Sequence, residues 1–331
     1  MKIDVFAHIL PLKYKEALVK KSKRVFTMKI ADACPTITDV NLRFRVMDKY
    51  PDYAQVLTIV SPSLDNIVSP QDATYLSKIA NDEMVELLVK YPDRFLSAAA
   101  CLPTCDMDAA VKELDRAIKD LRFKAIQIYT SVNGKPLDSP EFMPLYEKMV
   151  SYNLPILLHP LRDETTADYP IEDKSKYAIF SLFGWPYETT AAMTRLVYSG
   201  VLQRYPDLKI ITHHSGGMIP YYAQRVDIWE GINEMCLGTR YEPYLTKTHL
   251  DYYKMFYCDT AVYGSTPALM CCYAFFGADQ MLFGTDMPYD NQYGYRSLRE
   301  SIKSVEEMKI PDADKNKIFE DNARKLMRLP V

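Results

Sequence analysis

The 331 residues are short of several things, and each shortage closes a class of function. No sign of charge dominates: 40 Lys and Arg stand against 43 Asp and Glu, a formal net charge of -3, so no nucleic acid or other polyanion is expected as a partner. No apolar run approaches the ~18 residues that a membrane span needs, and no membrane partner is expected. The first apolar run is too short for a signal peptide, since Ile9-Leu10 gives way to Pro11-Leu-Lys-Tyr-Lys, and the expected location is cytoplasmic. The seven cysteines (Cys34, Cys101, Cys105, Cys236, Cys258, Cys271, Cys272) are odd in number and scattered. Cys101 and Cys105 have no second pair at zinc-ribbon spacing, so the set reads as reduced thiols of a cytosolic protein. There is no glycine-rich phosphate loop, no internal repeat and no low-complexity segment. What remains is ordinary for a folded protein, with 48% hydrophobic and 25% charged residues.

Strand-like and helix-like stretches alternate along the whole length. Short apolar strands are expected at 2–7, 54–60, 95–101, 125–129, 155–159, 208–213, 255–259 and 281–284. Helices are expected at 38–49, 73–91, 106–121, 139–152, 188–204, 221–231, 267–276, 295–308 and 312–327. Ile79, Met84, Leu87 and Leu88 fall at helical spacing, and Ser139-Pro140 is a helix start, with a cap followed by proline at the first helical position. Two insertions interrupt the alternation, near 12–50 and 232–253, the former opening with a Lys- and Arg-rich connection at 13–24. A long irregular stretch, 160–186, follows the fifth strand; its Tyr169, Tyr177, Phe180, Phe183 and Trp185 argue for a functional loop rather than disorder.

Eight short strands that do not alternate in polarity fit a parallel sheet buried on both faces. The fold class expected is α/β, a (β/α)8 TIM barrel in one domain over 1–331, with an insertion after strand one and a long loop after strand five. A barrel is preferred to a doubly wound sheet because liganding residues recur around the count. His8 ends strand one, His159 ends strand five, His213 and His214 end strand six, and Asp286 follows strand eight through the tight turn at Gly284. Four of the five histidines thus stand where a parallel barrel gathers its active site. One histidine at a strand end is more often a packed, hydrogen-bonded residue. Histidines and a carboxylate on separate strands match the needs of a zinc or manganese site, with open positions for water and substrate. His213 and His214 are adjacent, and neighbours on a strand point to opposite sides, so only one is expected to face the mouth. Asp259, which ends strand seven, reads either as catalytic or as an acceptor for a neighbouring loop. His249 lies in the second insertion, apart from the pattern.

At these residues the chain resembles the amidohydrolase-related decarboxylases of the aminocarboxymuconate-semialdehyde decarboxylase type. The similar segments are Met1-Lys-Ile-Asp-Val-Phe-Ala-His-Ile-Leu-Pro11, Arg43-Phe-Arg-Val-Met-Asp48, Gly184-Trp-Pro-Tyr-Glu-Thr-Thr190, His214-Ser-Gly-Gly-Met-Ile-Pro220 and Gly284-Thr-Asp-Met-Pro288. They come in order and span nearly the full length. The resemblance implies that His8, His159 and Asp286 bind the metal, zinc before manganese, and that His214 is an acid/base residue. It implies that Arg225 reaches the substrate carboxylate of a neighbouring subunit, hence a homodimer. The family pattern opens with His-x-His or Glu-x-His, whereas this sequence has Phe6-Ala7-His8, and Phe6 cannot bind a metal. A second substrate-binding arginine of the family falls near Thr27 here.

The function expected is non-oxidative decarboxylation of a small aromatic or unsaturated carboxylic acid of hydroxybenzoate type. The cation would act as a Lewis acid on the carboxylate and an adjacent oxygen, and His214 or Asp286 would supply the proton. Trp185 and the tyrosines of the long loop would sandwich the substrate ring. The alternatives are a metal-dependent hydrolase or hydratase on the same barrel, for a lactone or amide, and a metal-free binding protein, as Phe6 permits.

Overall fold

Eight apolar runs form eight strands in this computed structural model, which describes residues 1–22, 29, 32–60, 62–238 and 245–329. They are β1 (Lys2–Ile9), β2 (Tyr53–Ile59), β3 (Phe95–Cys101), β4 (Ala125–Tyr129), β5 (Ile156–His159), β6 (Ile210–Thr212), β7 (Tyr257–Asp259) and β8 (Met281–Leu282). Each pairs in parallel with the next, in simple sequential order. The ring is closed from the β8 side: Val5 N donates to Phe283 O at 2.9 Å, Asp286 N to Phe6 O at 3.1 Å and His8 N to Met287 O at 2.8 Å. Helices run between the strands, so the expected (β/α)8 barrel is the observed fold.

The core has two layers, as a barrel requires. Ile3, Val5, Phe6, Val56, Ala99, Ala125, Leu157, Ile211 and Leu282 fill the interior, joined by Ala323, Leu326, Met327 and Leu329 from the C-terminal segment. The second layer lies between strands and helices, with Leu57, Ile126, Leu158 and Ile210 against helix residues such as Leu76, Leu114, Met149 and Leu196. Burying each such side chain contributes roughly 1.5–3 kcal/mol, so the strands, though only two to eight residues long, are held by packing on both faces.

The helices differ from expectation in three places. The Lys- and Arg-rich connection after β1 opens with a helix, Leu12–Lys21, because Tyr14 and Leu18 sit one turn apart and bury together. The helix expected at 188–204 starts earlier, at Gly184, and ends at Tyr198; Gly200, with φ +77°, separates it from a short turn of helix at Val201–Arg204. Trp185 therefore lies in the first turn of a helix rather than in the loop, and a further helical turn, Ile179–Leu182, interrupts the stretch before it. The helix after β6 runs from Ile219 to Leu237 and so reaches into the second insertion. No helix among the described residues is long and apolar enough to cross a membrane.

Candidate metal centre

One irregularity in β1 aims its side chains. Between Asp4 and Ala7 the strand advances three residues while β2 advances two, from Gln55 to Leu57, which marks a bulge. A bulge reverses the alternation of faces, so Ile3 and Val5 point into the barrel before it and Phe6 and His8 after it. His8 reaches the mouth by this device. Its carbonyl oxygen accepts from the Arg43 guanidinium at 2.7 Å, which gives a job to the buried arginine of the Arg43–Asp48 segment.

At β6 the expectation that only one histidine faces the mouth is overturned. The strand ends at Thr212, and His214 and Ser215 take left-handed backbone conformations, φ +54° and +55°. That turn brings the His214 ring round beside His213, with centroids 3.9 Å apart. Both imidazoles meet Asp286: His213 Nε2 is 3.4 Å from Oδ1 and His214 Nε2 is 3.6 Å from Oδ2. Asp286 is itself left-handed, φ +58°. Non-glycine residues in this region cost roughly 1–3 kcal/mol each and persist where the surrounding structure over-determines them, which is common at functional sites.

The cluster is buried and tightly drawn. His8 and His213 are 0% exposed, and His159 and Asp286 are 2% exposed. Potential ligand atoms of His8, His159 and His213 lie within 4.8 Å of one another, as do those of His213, His214 and Asp286. His8 Nε2 is 3.1 Å from Asp286 Oδ1. Yet neither His8 Nε2 nor His213 Nε2 has a hydrogen-bond partner among the described residues, although the carboxylate is near both. Buried polar atoms of this kind call for another occupant. A divalent cation fits: imidazole nitrogens and a carboxylate converge, their outer nitrogens are braced, and each unsatisfied atom faces a common space.

The bracing is visible atom by atom. His8 Nδ1 lies 3.0 Å from Thr58 Oγ1, and His159 Nδ1 lies 2.7 Å from the Pro160 carbonyl oxygen. His213 Nδ1 pairs with Asp259 Oδ2, and Asp259 also accepts from the backbone of Ser215 and Ala261. Asp259 thus takes the loop-acceptor role expected of it and, in addition, partners His213. A Cβ at position 284 would meet Asp259 Cβ at 2.9 Å, so Gly284 is what lets this carboxylate pack beneath the turn. Below the mouth, Tyr53 Oη and Thr285 Oγ1 each donate to Asp4 Oδ2 at 2.5 Å, Gln55 Nε2 donates to Tyr53 Oη at 2.7 Å, and Arg43 Nε to Gln55 Oε1 at 2.7 Å. This chain ties β1 and β2 to the turn that carries Asp286.

The electrostatics follow from burial and mutual charge. Burial pulls His8, His159 and His214 down, helped at each by a neighbouring imidazole, so these three stay neutral at pH 7, the form that binds metal. Burial also works against a charged His213, but Asp259 and Asp286 outweigh it and raise His213 to about 10, so a cation bound at its Nε2 would have to displace a proton from that nitrogen. Burial alone would raise Asp286; His213, His214 and His8 hold it well below the usual carboxylate range.

An aromatic collar rises above the cluster. Trp185 stacks on His214 with centroids 5.9 Å apart and an interplanar angle of 22°, meets the edge of His159, and donates Nε1 to the Arg162 carbonyl oxygen. Tyr129 flanks His159 and Tyr289 flanks His8, at 5.5 and 5.4 Å. Tyr263, half exposed, donates its hydroxyl to Asp286 Oδ2. Nothing in the sequence around Tyr263 or Tyr289 singled them out, because both reach the site from loops. Arg225 is exposed on the outer side of the helix Ile219–Leu237, its guanidinium 5.2 Å above the Trp229 ring. His249 stacks on Tyr198, in keeping with its place outside the pattern. Thr27 lies outside the described residues.

Comparison with known proteins points the same way. A model of the family described as amidohydrolase matches residues 3–329. A gamma-resorcylate decarboxylase of Polaromonas sp. strain JS666 is 31% identical over 298 residues, 87% of this chain and 86% of that one. A 2-amino-3-carboxymuconate-6-semialdehyde decarboxylase of Dictyostelium discoideum is 28% identical over 330 residues, covering 93% and 87% of the two chains. Among solved structures, a dihydroxybenzoic acid decarboxylase from Polaromonas, with bound manganese and the inhibitor 2-nitroresorcinol, superposes with a TM-score of 0.82 at 26% identity, over 99% of this chain and 96% of that one.

Proposed function

This chain belongs to the amidohydrolase family, and from that premise we propose that it is a metal-dependent non-oxidative decarboxylase, a carboxy-lyase acting on a hydroxybenzoate-type acid. The observation that carries the reading is the convergence of neutral imidazoles and an ionised Asp286 under a collar of flat aromatic side chains. The hydrolase or hydratase reading is not favoured, since the similar proteins described above are decarboxylases.

His8, His159 and Asp286 would hold the cation, zinc or manganese. When bound, it supplies Lewis-acid stabilisation of charge on the substrate carboxylate and its neighbouring oxygen. The chain's own residues do the rest. Trp185, Tyr129 and Tyr289 present ring faces and edges to the substrate ring and keep water from it. The carbon bearing the carboxylate takes up a proton, the bond to the carboxyl carbon breaks, and carbon dioxide leaves, with that electron pair returning to the ring. His214 is the proton donor at that carbon: its Nε2 faces Asp286 Oδ2, and its ring lies flat beneath Trp185, where a stacked substrate would meet it. Asp286, ionised, orients the His214 Nε2–H through the same contact, and solvent replaces the proton that His214 gives up.

A homodimer suits the outer helix, where Arg225 stands among the exposed Tyr221, Tyr222, Ile228 and Trp229. Arg225 would then reach the carboxylate in a partner's site. A single barrel domain over 1–331 and a cytoplasmic location complete the reading; all seven cysteines are free thiols.

The test is metal content per chain together with carbon dioxide release from a panel of hydroxybenzoates, for wild type, His159→Ala and Asp286→Ala. About one zinc or manganese per wild-type chain and release of carbon dioxide, both lost in the variants, is the expected result. Turnover without carbon dioxide, or none on any acid by a metal-loaded protein, would overturn the decarboxylase reading.

A further inference from the structure

We propose that His213 is a fourth protein ligand of the divalent cation and takes over the position lost with Phe6, with Asp259 as its outer partner. The inference rests on the metal-dependent reading above and concerns which residues of this chain make the site.

Four observations meet on His213. The first is spacing. Metal–nitrogen and metal–oxygen distances of about 2.0–2.2 Å put neighbouring ligand atoms about 3.0–3.4 Å apart. Asp286 Oδ1 is 3.1 Å from His8 Nε2 and 3.4 Å from His213 Nε2, so two edges of a coordination polyhedron are already at length. His159 falls within the same 4.8 Å group as His8 and His213.

The second is orientation. A ligating imidazole has its other nitrogen held by an oxygen, commonly a carboxylate or backbone carbonyl. His8 has Thr58, His159 has the Pro160 carbonyl and His213 has Asp259. His214 does not share the arrangement, since its Nδ1 is buried without a partner among the described residues.

The third is the pair of unsatisfied atoms. His8 Nε2 and His213 Nε2 are the inward nitrogens, both buried and both lacking a hydrogen bond, and both border the same carboxylate oxygen. One ion between them satisfies both.

The fourth is Phe6. Its ring is fully buried among the side chains of the barrel interior. It lies flat against His213, centroids 4.1 Å apart and planes 15° apart. An aromatic wall at that distance holds the imidazole in plane and leaves its inward nitrogen aimed at the cluster. The sequence thus trades a ligand on β1 for one following β6, two strand ends that meet over the same interior.

The experiment counts imidazole ligands directly. The wild-type protein is loaded with cobalt(II), and the exchangeable imidazole N–H protons shifted by the paramagnetic ion are counted by proton NMR. Manganese and zinc affinities are measured in parallel by competition with a chelating dye, for wild type, His213→Ala and His214→Ala. Three shifted N–H resonances are expected, from His8, His159 and His213. His213→Ala should keep two and weaken metal binding by about 100-fold or more, at or beyond the upper end of the 10–100-fold expected for loss of an outer partner. His214→Ala should keep all three. Two resonances in wild type, with metal affinity unchanged in His213→Ala, would overturn the ligand role and leave the metal-dependent reading standing. A wild-type protein that binds none of the three metals would overturn both. The wild-type count stands on its own even if the His213 variant does not fold.

Discussion

The rings of Phe6 and His213 lie face to face, 4.1 Å between centroids, at the floor of the site. Phe6 is fully buried, so its ring is at once a core side chain and the backing of a functional imidazole. Phe6→Ala should therefore lower stability by about 3–5 kcal/mol, as for other buried phenylalanines. It should also loosen metal binding. Urea unfolding followed by tryptophan fluorescence measures the first, and dye competition the second. A loss of stability with metal affinity unchanged would mean that the stacking does not position His213.

His214 sits between Trp185 and Asp286, with its ring parallel to the indole and its Nε2 toward the carboxylate. His214→Gln should reduce kcat by about 10²–10⁴-fold, the range for loss of a general acid. Metal content should remain that of wild type. Steady-state rates of carbon dioxide release alongside metal analysis would separate the two. Equal loss of metal and rate would move His214 from proton transfer to metal binding.

Tyr263 donates to the Asp286 oxygen that faces His214, and so leaves the other oxygen for His8 and His213. Tyr263→Phe removes this donor from the ionised carboxylate. Metal affinity and kcat/KM should each fall by about 10-fold, as for loss of an outer partner. Because a hydrogen bond to the carboxylate favours its charged form, the acid limb of the kcat/KM profile should move to higher pH in the variant. An unmoved acid limb would show that Tyr263 only packs there.

Asp4 gives stability a pH dependence of unusual sign. Burial raises its carboxyl to about 6 from the ordinary 3.8, although Thr285 and Tyr53 donate to it. The folded protein therefore holds the Asp4 proton more tightly than the unfolded chain does. Below about pH 4 both states carry it and the group is neutral toward folding. Between about pH 4 and 6 only the folded state keeps it, so stability falls as pH rises, and above about pH 6 the loss is complete at about 3 kcal/mol. Urea unfolding at several pH values, wild type against Asp4→Asn, isolates the effect. The wild-type minus variant difference should decline across that window and be flat above it; a rising difference would mean that Asp4 is stabilised as the anion.

How far the sequence reaches can be seen residue by residue. The run Pro155–Leu158 is apolar on every residue and stops at a histidine, and a strand buried on both faces has to look like that. The barrel, the strand order and the presence of His8, His159, His213, His214 and Asp286 at one end were legible for that reason. Segments whose conformation is set by distant contacts were not. The bulge that turns Phe6 and His8 inward depends on pairing with β2, some fifty residues on. The left-handed turn that brings His214 beside His213 depends on Asp259, which receives the Ser215 backbone from 44 residues away. Trp185 joins a helix instead of a loop, and Tyr263 reaches Asp286 from a turn with no local signal. Alternation along a strand is a local rule, and the sequence alone determines it. Which rings share one carboxylate is settled where strand ends from opposite parts of the chain meet, and only the closed barrel decides that.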